Sequence, residues 1–74
     1  MVSDSNTAKK ISDLISEIER QLAGSLETVQ QRCPQEEYRA YKKAVGRVVG
    51  ALLFEILEPL YEKNPALKPP GWDD

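Results

Sequence analysis

Apolar residues in the first half of the chain recur at helical spacing. From Ile11 to Cys33 they are three or four positions apart, the period of a helix that buries one face. The stripe consists of Ile11, Ile15, Ile18, Leu22, Leu26, Val29 and Cys33, with Leu14 beside it. Charged residues occupy the opposite side. The pattern predicts an amphipathic helix over residues 7–32, capped at its N-terminus by Ser5, Asn6 or Thr7.

The second half of the chain carries a broader apolar pattern. One stripe runs from Tyr41 through Val45 and Leu52 to Leu60. The apolar arc spans about 240°, whereas a helix that buries one face needs only about 100°. One neighbouring helix cannot cover this arc, so we expect a second copy of the chain to cover the rest. The predicted dimer interface is the face that carries Gly46, Gly50, Leu53, Phe54, Leu57 and Tyr61.

Prolines divide the chain into segments. Pro34 disfavours a helical conformation at Cys33 and suits the first turn of a new helix, so the second helix is predicted over residues 34–63. A connection this short predicts an antiparallel hairpin. Pro59 is expected to kink the second helix. The predicted organisation is a disordered segment 1–6, an all-α hairpin 7–63 and an extended Pro-rich tail 64–74.

The tail carries one tryptophan, Trp72, and two interpretations of it stay open. In the first, Trp72 packs against its own hairpin or a second subunit. In the second, the tail is a docking peptide for another protein.

Size and composition favour self-association. A chain of 74 residues builds a core that supplies only about 3–5 kcal/mol, and such proteins usually add a disulfide, a metal or a partner chain. One cysteine excludes an internal disulfide, and the absence of histidine argues against zinc. Two copies are therefore expected to form a four-helix bundle, with the second helix central and Gly46 and Gly50 near the two-fold axis.

Charge and hydropathy bear on location. The net charge is −2, which favours neither nucleic acid nor an acidic membrane. The apolar run of the second helix is interrupted by Arg47 and Glu55 and is shorter than the ~20 residues of a membrane span. The N-terminus is polar, without an apolar signal segment. A cytoplasmic protein without membrane contact is the expectation.

A basic cluster at the start of the second helix is one candidate site. Arg39, Lys42, Lys43 and Arg47 are possible phosphate contacts, which a dimer would double. The alternative is a solvated face, paired with acidic residues of a second subunit. The sequence has no helix-turn-helix spacing and no aromatic stacking platform, so nucleic acid is the less favoured partner.

Other candidate chemistry is sparse. Cys33 lies at a helix N-terminus, where a thiolate is stabilised, but Glu36 and Glu37 oppose the charge and no histidine can serve as its base. A packed residue at the hairpin corner is the favoured interpretation. Glu55 and Glu58 share a helix side, which indicates a water-facing strip. No catalytic residue, cofactor or metal ligand is predicted.

These observations lead to three functional hypotheses. The first is a non-enzymatic protein-interaction or regulatory module that acts as a homodimer. The second is a nucleic-acid-binding dimer that uses the basic cluster. The third is a subunit of a hetero-complex, docked through the excess apolar face.

Overall fold

The computed structural model describes residues 1–72 and forms a long antiparallel helical hairpin. Its elements are α1 (Ser5–Arg32), α2 (Gln35–Ala51), a π-helical segment (Leu52–Leu57), α3 (Glu58–Lys63) and a 3₁₀ turn (Pro65–Leu67). No strand occurs within this described part. The predicted all-helical fold and the break between the two arms are confirmed. The molecule measures 44 × 20 × 19 Å, as expected for a pair of long helices side by side.

Asp4 caps the N-terminus of α1, in place of the three candidates that the sequence suggested. Its backbone is extended, and its Oδ2 accepts hydrogen bonds from the Thr7 backbone N–H at 2.9 Å and from Thr7 Oγ1 at 2.6 Å. These bonds, the hydroxyl first, lower the pKa of the Asp4 carboxyl. The helix therefore begins at Ser5, two residues earlier than predicted.

The hairpin corner follows the prediction closely. Cys33 has an extended backbone, because the ring of Pro34 disfavours the helical region for the residue before it. The Cys33 N–H closes α1 on the Val29 carbonyl at 2.9 Å, and the Tyr38 N–H opens α2 on the Pro34 carbonyl at 3.1 Å. Two residues therefore suffice to reverse the chain.

The helix passes Pro59 through a π-helical segment. In a regular α-helix the proline ring collides with the carbonyl of residue i−4, here Glu55, and lacks an N–H to bond it. The wider π turn relieves this clash, and the Glu58 N–H reaches back five residues to the Leu53 carbonyl. The distortion expected at Pro59 is thus distributed over the preceding six residues.

The π segment changes which residues face α1. A π turn takes up more residues than an α turn, so the positions beyond it are rotated relative to a uniform helix. Leu57 and Tyr61, which the sequence analysis assigned to the dimer interface, are instead buried at 6% and 4% exposure within the chain itself. Leu57 and Tyr61 are therefore no longer available to a partner, which narrows the apolar arc that the sequence predicts.

The core lies at the end of the hairpin where the N-terminal segment and Trp72 pack against the helices. Its buried members are Ala8, Ile15, Leu57, Leu60 and Tyr61. Around them pack partly buried side chains, among them Val2 from the segment expected to be disordered. Towards the corner only Val45 is buried, and the rest of the α1 stripe is half-buried. The predicted α1 stripe does face the hairpin interior, whereas Leu14 is exposed.

The C-terminal segment folds back onto the hairpin and is not extended over its described part. Gly71 takes a φ of 81°, and the Trp72 N–H bonds the Pro69 carbonyl at 3.1 Å, as in a type II turn with proline second and glycine third. The turn brings Trp72 edge-on to Tyr61, with ring centroids 4.7 Å apart. Trp72 therefore packs on its own chain. Asp73 and Asp74 of the predicted tail lie outside the described residues.

Asn64 links the end of the second arm to the N-terminal segment. Its side chain is buried, and Nδ2 donates to the carbonyls of Val2 at 2.8 Å and Leu60 at 2.9 Å. Its Oδ1 accepts from the Ser5 hydroxyl at 3.4 Å. One amide thus ends the second arm and holds the N-terminal segment against it.

Replacement of Asn64 by alanine should lower the free energy of unfolding by about 1–3 kcal/mol, because buried hydrogen-bonding groups lose their partner. Urea denaturation measures this change. Asn6→Ala is the matched control: Asn6 is exposed on α1, so its loss should change stability by less than about 0.5 kcal/mol. Equal effects of the two substitutions would contradict the role given to Asn64.

Candidate interaction surface

The side of the second arm that points away from α1 is the candidate site, and we call it the outward face. It contains Arg39, Lys42, Lys43, Gly46, Arg47, Gly50, Phe54, Glu58 and Glu62. Gly50 is half-buried and the others are exposed. Positions 46, 50, 54, 58 and 62 are spaced by four, which in a uniform α-helix moves each about 40° around the axis from the one before. The wider π turn between Leu52 and Leu57 takes up part of this drift, so the five positions stay closer to one side than a uniform helix would place them.

Two glycines lie at the centre of the outward face. A Cβ placed on Gly46 or Gly50 would meet no atom within 4 Å. Nothing in the chain itself therefore requires a missing side chain there, although glycine inside a helix costs about 1 kcal/mol relative to alanine. The gap that they leave is open to a second molecule.

Phe54 is the large apolar side chain of this face. It is 62% exposed and lies in the π-helical segment, one turn beyond Gly50. Leu53, its neighbour in the predicted interface, is half-buried and lines a cavity of about 390 Å³ with the turn Pro69–Trp72. Of the apolar side chains predicted to meet a second copy, Phe54 alone stays well exposed among the described residues.

The basic residues predicted as phosphate contacts are brought together. Arg39, Lys42, Lys43 and Arg47 line a shallow concavity of about 530 Å³, and Gly46 completes its wall. None of the four forms an ion pair with another residue of the range 1–72, in contrast to Lys9 and Arg20 on α1, which pair with Asp13 and Glu17. These cations therefore keep their capacity to bind a partner.

Acidic residues occupy the other end of the same face. Glu58 and Glu62 are exposed beyond Phe54, with Glu55 exposed beside them. Residues 38–54 contain no acidic residue and residues 48–62 contain no basic one. The outward face is thus positive towards the hairpin corner and negative towards the termini. The sequence alone indicates both the basic cluster and the Glu55/Glu58 strip, but not that they occupy opposite ends of one exposed face.

The remaining candidates have no such surroundings. Cys33 is half-buried at the corner and lines a cavity of about 380 Å³ with Gln30, Gln35 and Tyr38, none of which is a base that activates a thiol. In the described part of the chain no group of His, Cys, Asp or Glu side chains is arranged to hold a metal ion. Glu55 and Glu58 are exposed, as the sequence indicated.

Across residues 1–72 we find no helix with the length and apolar character that crossing a membrane requires. Comparison with models of known families, with curated proteins and with solved structures finds no match to this chain. The fold and the site together define a helical hairpin with a charge-polarised, glycine-centred exposed helix face.

Because the glycines are open, Gly46→Ala and Gly50→Ala should each raise the free energy of unfolding of the single chain by about 0.5–1 kcal/mol. Gly24→Ala, equally open on α1, should do the same and serves as the control. Urea denaturation at low protein concentration measures all three. If Gly46→Ala or Gly50→Ala lowers the free energy of unfolding while Gly24→Ala raises it, the added methyl group meets other atoms, and the face is not open.

Proposed function

We propose that the protein is a small non-enzymatic interaction module that acts as a homodimer. Two hairpins associate through the outward face of the second arm and form a four-helix bundle. The observation that carries the proposal is the exposed Phe54 beside Gly46 and Gly50, two positions where an added side chain would touch nothing in the chain itself. Two helix-weakening glycines beside an exposed aromatic ring are explained when a second helix packs on them.

The modest core supports the same proposal. Its five buried members lie at one end of the molecule, and in the corner half of the hairpin Val45 alone is buried among half-buried apolar residues. Small proteins with so little buried surface commonly gain stability from a partner chain. Association through α2 would stabilise the half of the molecule that the core does not reach.

The test is sedimentation equilibrium over a range of protein concentrations, with Phe54→Ser compared against Leu14→Ser. The two side chains are matched in exposure, at 62% and 57%, but lie on different arms. Burial of a Phe side chain contributes about 1.5–3 kcal/mol, and a dimer buries two. Phe54→Ser should therefore weaken the dimer by at least ~10-fold, while Leu14→Ser should leave it nearly unchanged.

Three results would reject the proposal or its interface. A monomer at every concentration would reject the homodimer and favour docking to a different protein. A dimer weakened by Leu14→Ser and indifferent to Phe54→Ser would move the contact to α1. Equal weakening by both would indicate a general loss of apolar surface without a defined interface.

Nucleic-acid binding is the second candidate, and one observation favours it: the four unpaired cations around the concavity at Gly46. The acidic half of the same face opposes it, because a phosphate backbone that follows the helix would meet Glu58 and Glu62. A gel shift of DNA or RNA at low salt that is lost on Lys42→Glu would support it. No shift at low salt would reject it.

A further inference from the structure

The outward face is complementary to a second copy of itself in one orientation. We infer that the homodimer pairs the second arms antiparallel, with the two Gly50 residues next to the two-fold axis and Phe54 of each chain seated over Gly46 of the other. This inference rests on the proposed homodimer and specifies its interface. Three properties of the face support it.

The first property is symmetry of position. In an antiparallel pair related by a two-fold axis, a residue some distance before the axis faces the residue the same distance after it on the other chain. Gly46 lies four positions before Gly50 and Phe54 four positions after it. The exposed ring and the empty position therefore meet twice in each dimer, as a self-complementary contact requires.

The second property is size and chemistry. The concavity at Gly46 measures about 530 Å³, whereas a protein cavity of about 150 Å³ already holds a benzene molecule. Its cationic rim suits the face of an aromatic ring, which attracts lysine and arginine side chains. A phenyl group thus fits the concavity in both respects.

The third property is charge. Lys42 lies eight positions before Gly50 and Glu58 eight positions after it, while Arg39 and Glu62 lie eleven before and twelve after. An antiparallel pair sets the basic half of each face on the acidic half of the other. A parallel pair would set lysine on lysine and glutamate on glutamate, which is unfavourable. Charge therefore selects the antiparallel orientation.

Charge reversal tests the orientation. One variant carries Arg39→Glu and Lys42→Glu, a second carries Glu58→Lys and Glu62→Lys, and a third carries all four changes. Each pair alone should weaken the dimer by at least ~5-fold, since it turns attraction into repulsion at both ends. The combined variant should return to within ~3-fold of the original affinity. Circular dichroism at each concentration verifies that the variants stay helical.

Cysteine cross-linking tests the position of the axis, in a Cys33→Ser background. Gly50→Cys should form a disulfide-linked dimer under mild oxidation, because residues at the axis come within the 4.4–6.8 Å that a disulfide spans. Gly46→Cys should not link to itself, since eight residues separate the two copies by about 12 Å along the helices. Gly24→Cys, open on α1, is the control and should stay unlinked.

The outcomes separate this inference from the proposed function. Suppose that a dimer forms and is weakened by Phe54→Ser, but tolerates each charge-reversed pair and cross-links through Gly46→Cys. This result would reject the antiparallel orientation and support the homodimer. A protein that stays monomeric overturns both. A monomer that shifts nucleic acid and loses this ability on Lys42→Glu assigns the basic half to phosphates.

Discussion

Two helices can cover only one side of each other, and this constraint shapes the whole molecule. The chain places its core where a further segment packs on the two helices. At the open end of the hairpin, the turn that carries Trp72 closes over Tyr61, and Asn64 draws the N-terminal segment against the second arm. The N-terminal segment and the turn at Trp72 thus cover apolar side chains that two helices alone would leave exposed.

The core and the outward face are linked through Pro59. Its ring excludes a regular α-helical turn before it, and the π segment that results turns Leu57 and Tyr61 towards α1, beside Leu60. The same segment presents Phe54 to the outside. One backbone distortion therefore fills the core and shapes the candidate surface, which agrees with the frequent occurrence of π turns at functional sites.

The outward face differs from the broad apolar surface that the hydrophobic pattern predicts, because Leu57 and Tyr61 are buried within the chain itself. What is left is complementarity: an empty position at Gly46, a ring at Phe54, and opposite charges on either side of Gly50. Such a contact is more specific than a broad apolar patch, and salt would weaken it more.

The sequence by itself determined the hairpin: helical periodicity placed both arms, Pro34 placed the corner, and the α1 stripe faces inward as expected. It also identified the basic cluster and the two glycines, because such signals are local. Only the tertiary structure decided the cap at Asp4, the packing of Trp72 and the burial of Leu57 and Tyr61. The packing of Trp72 and the position of the N-terminal segment around Asp4 depend on contacts between segments that are distant in sequence. The burial of Leu57 and Tyr61 depends on the π turn, whose rotation of the later positions is absent from a pattern that assumes a uniform helical period from Pro34 to residue 63.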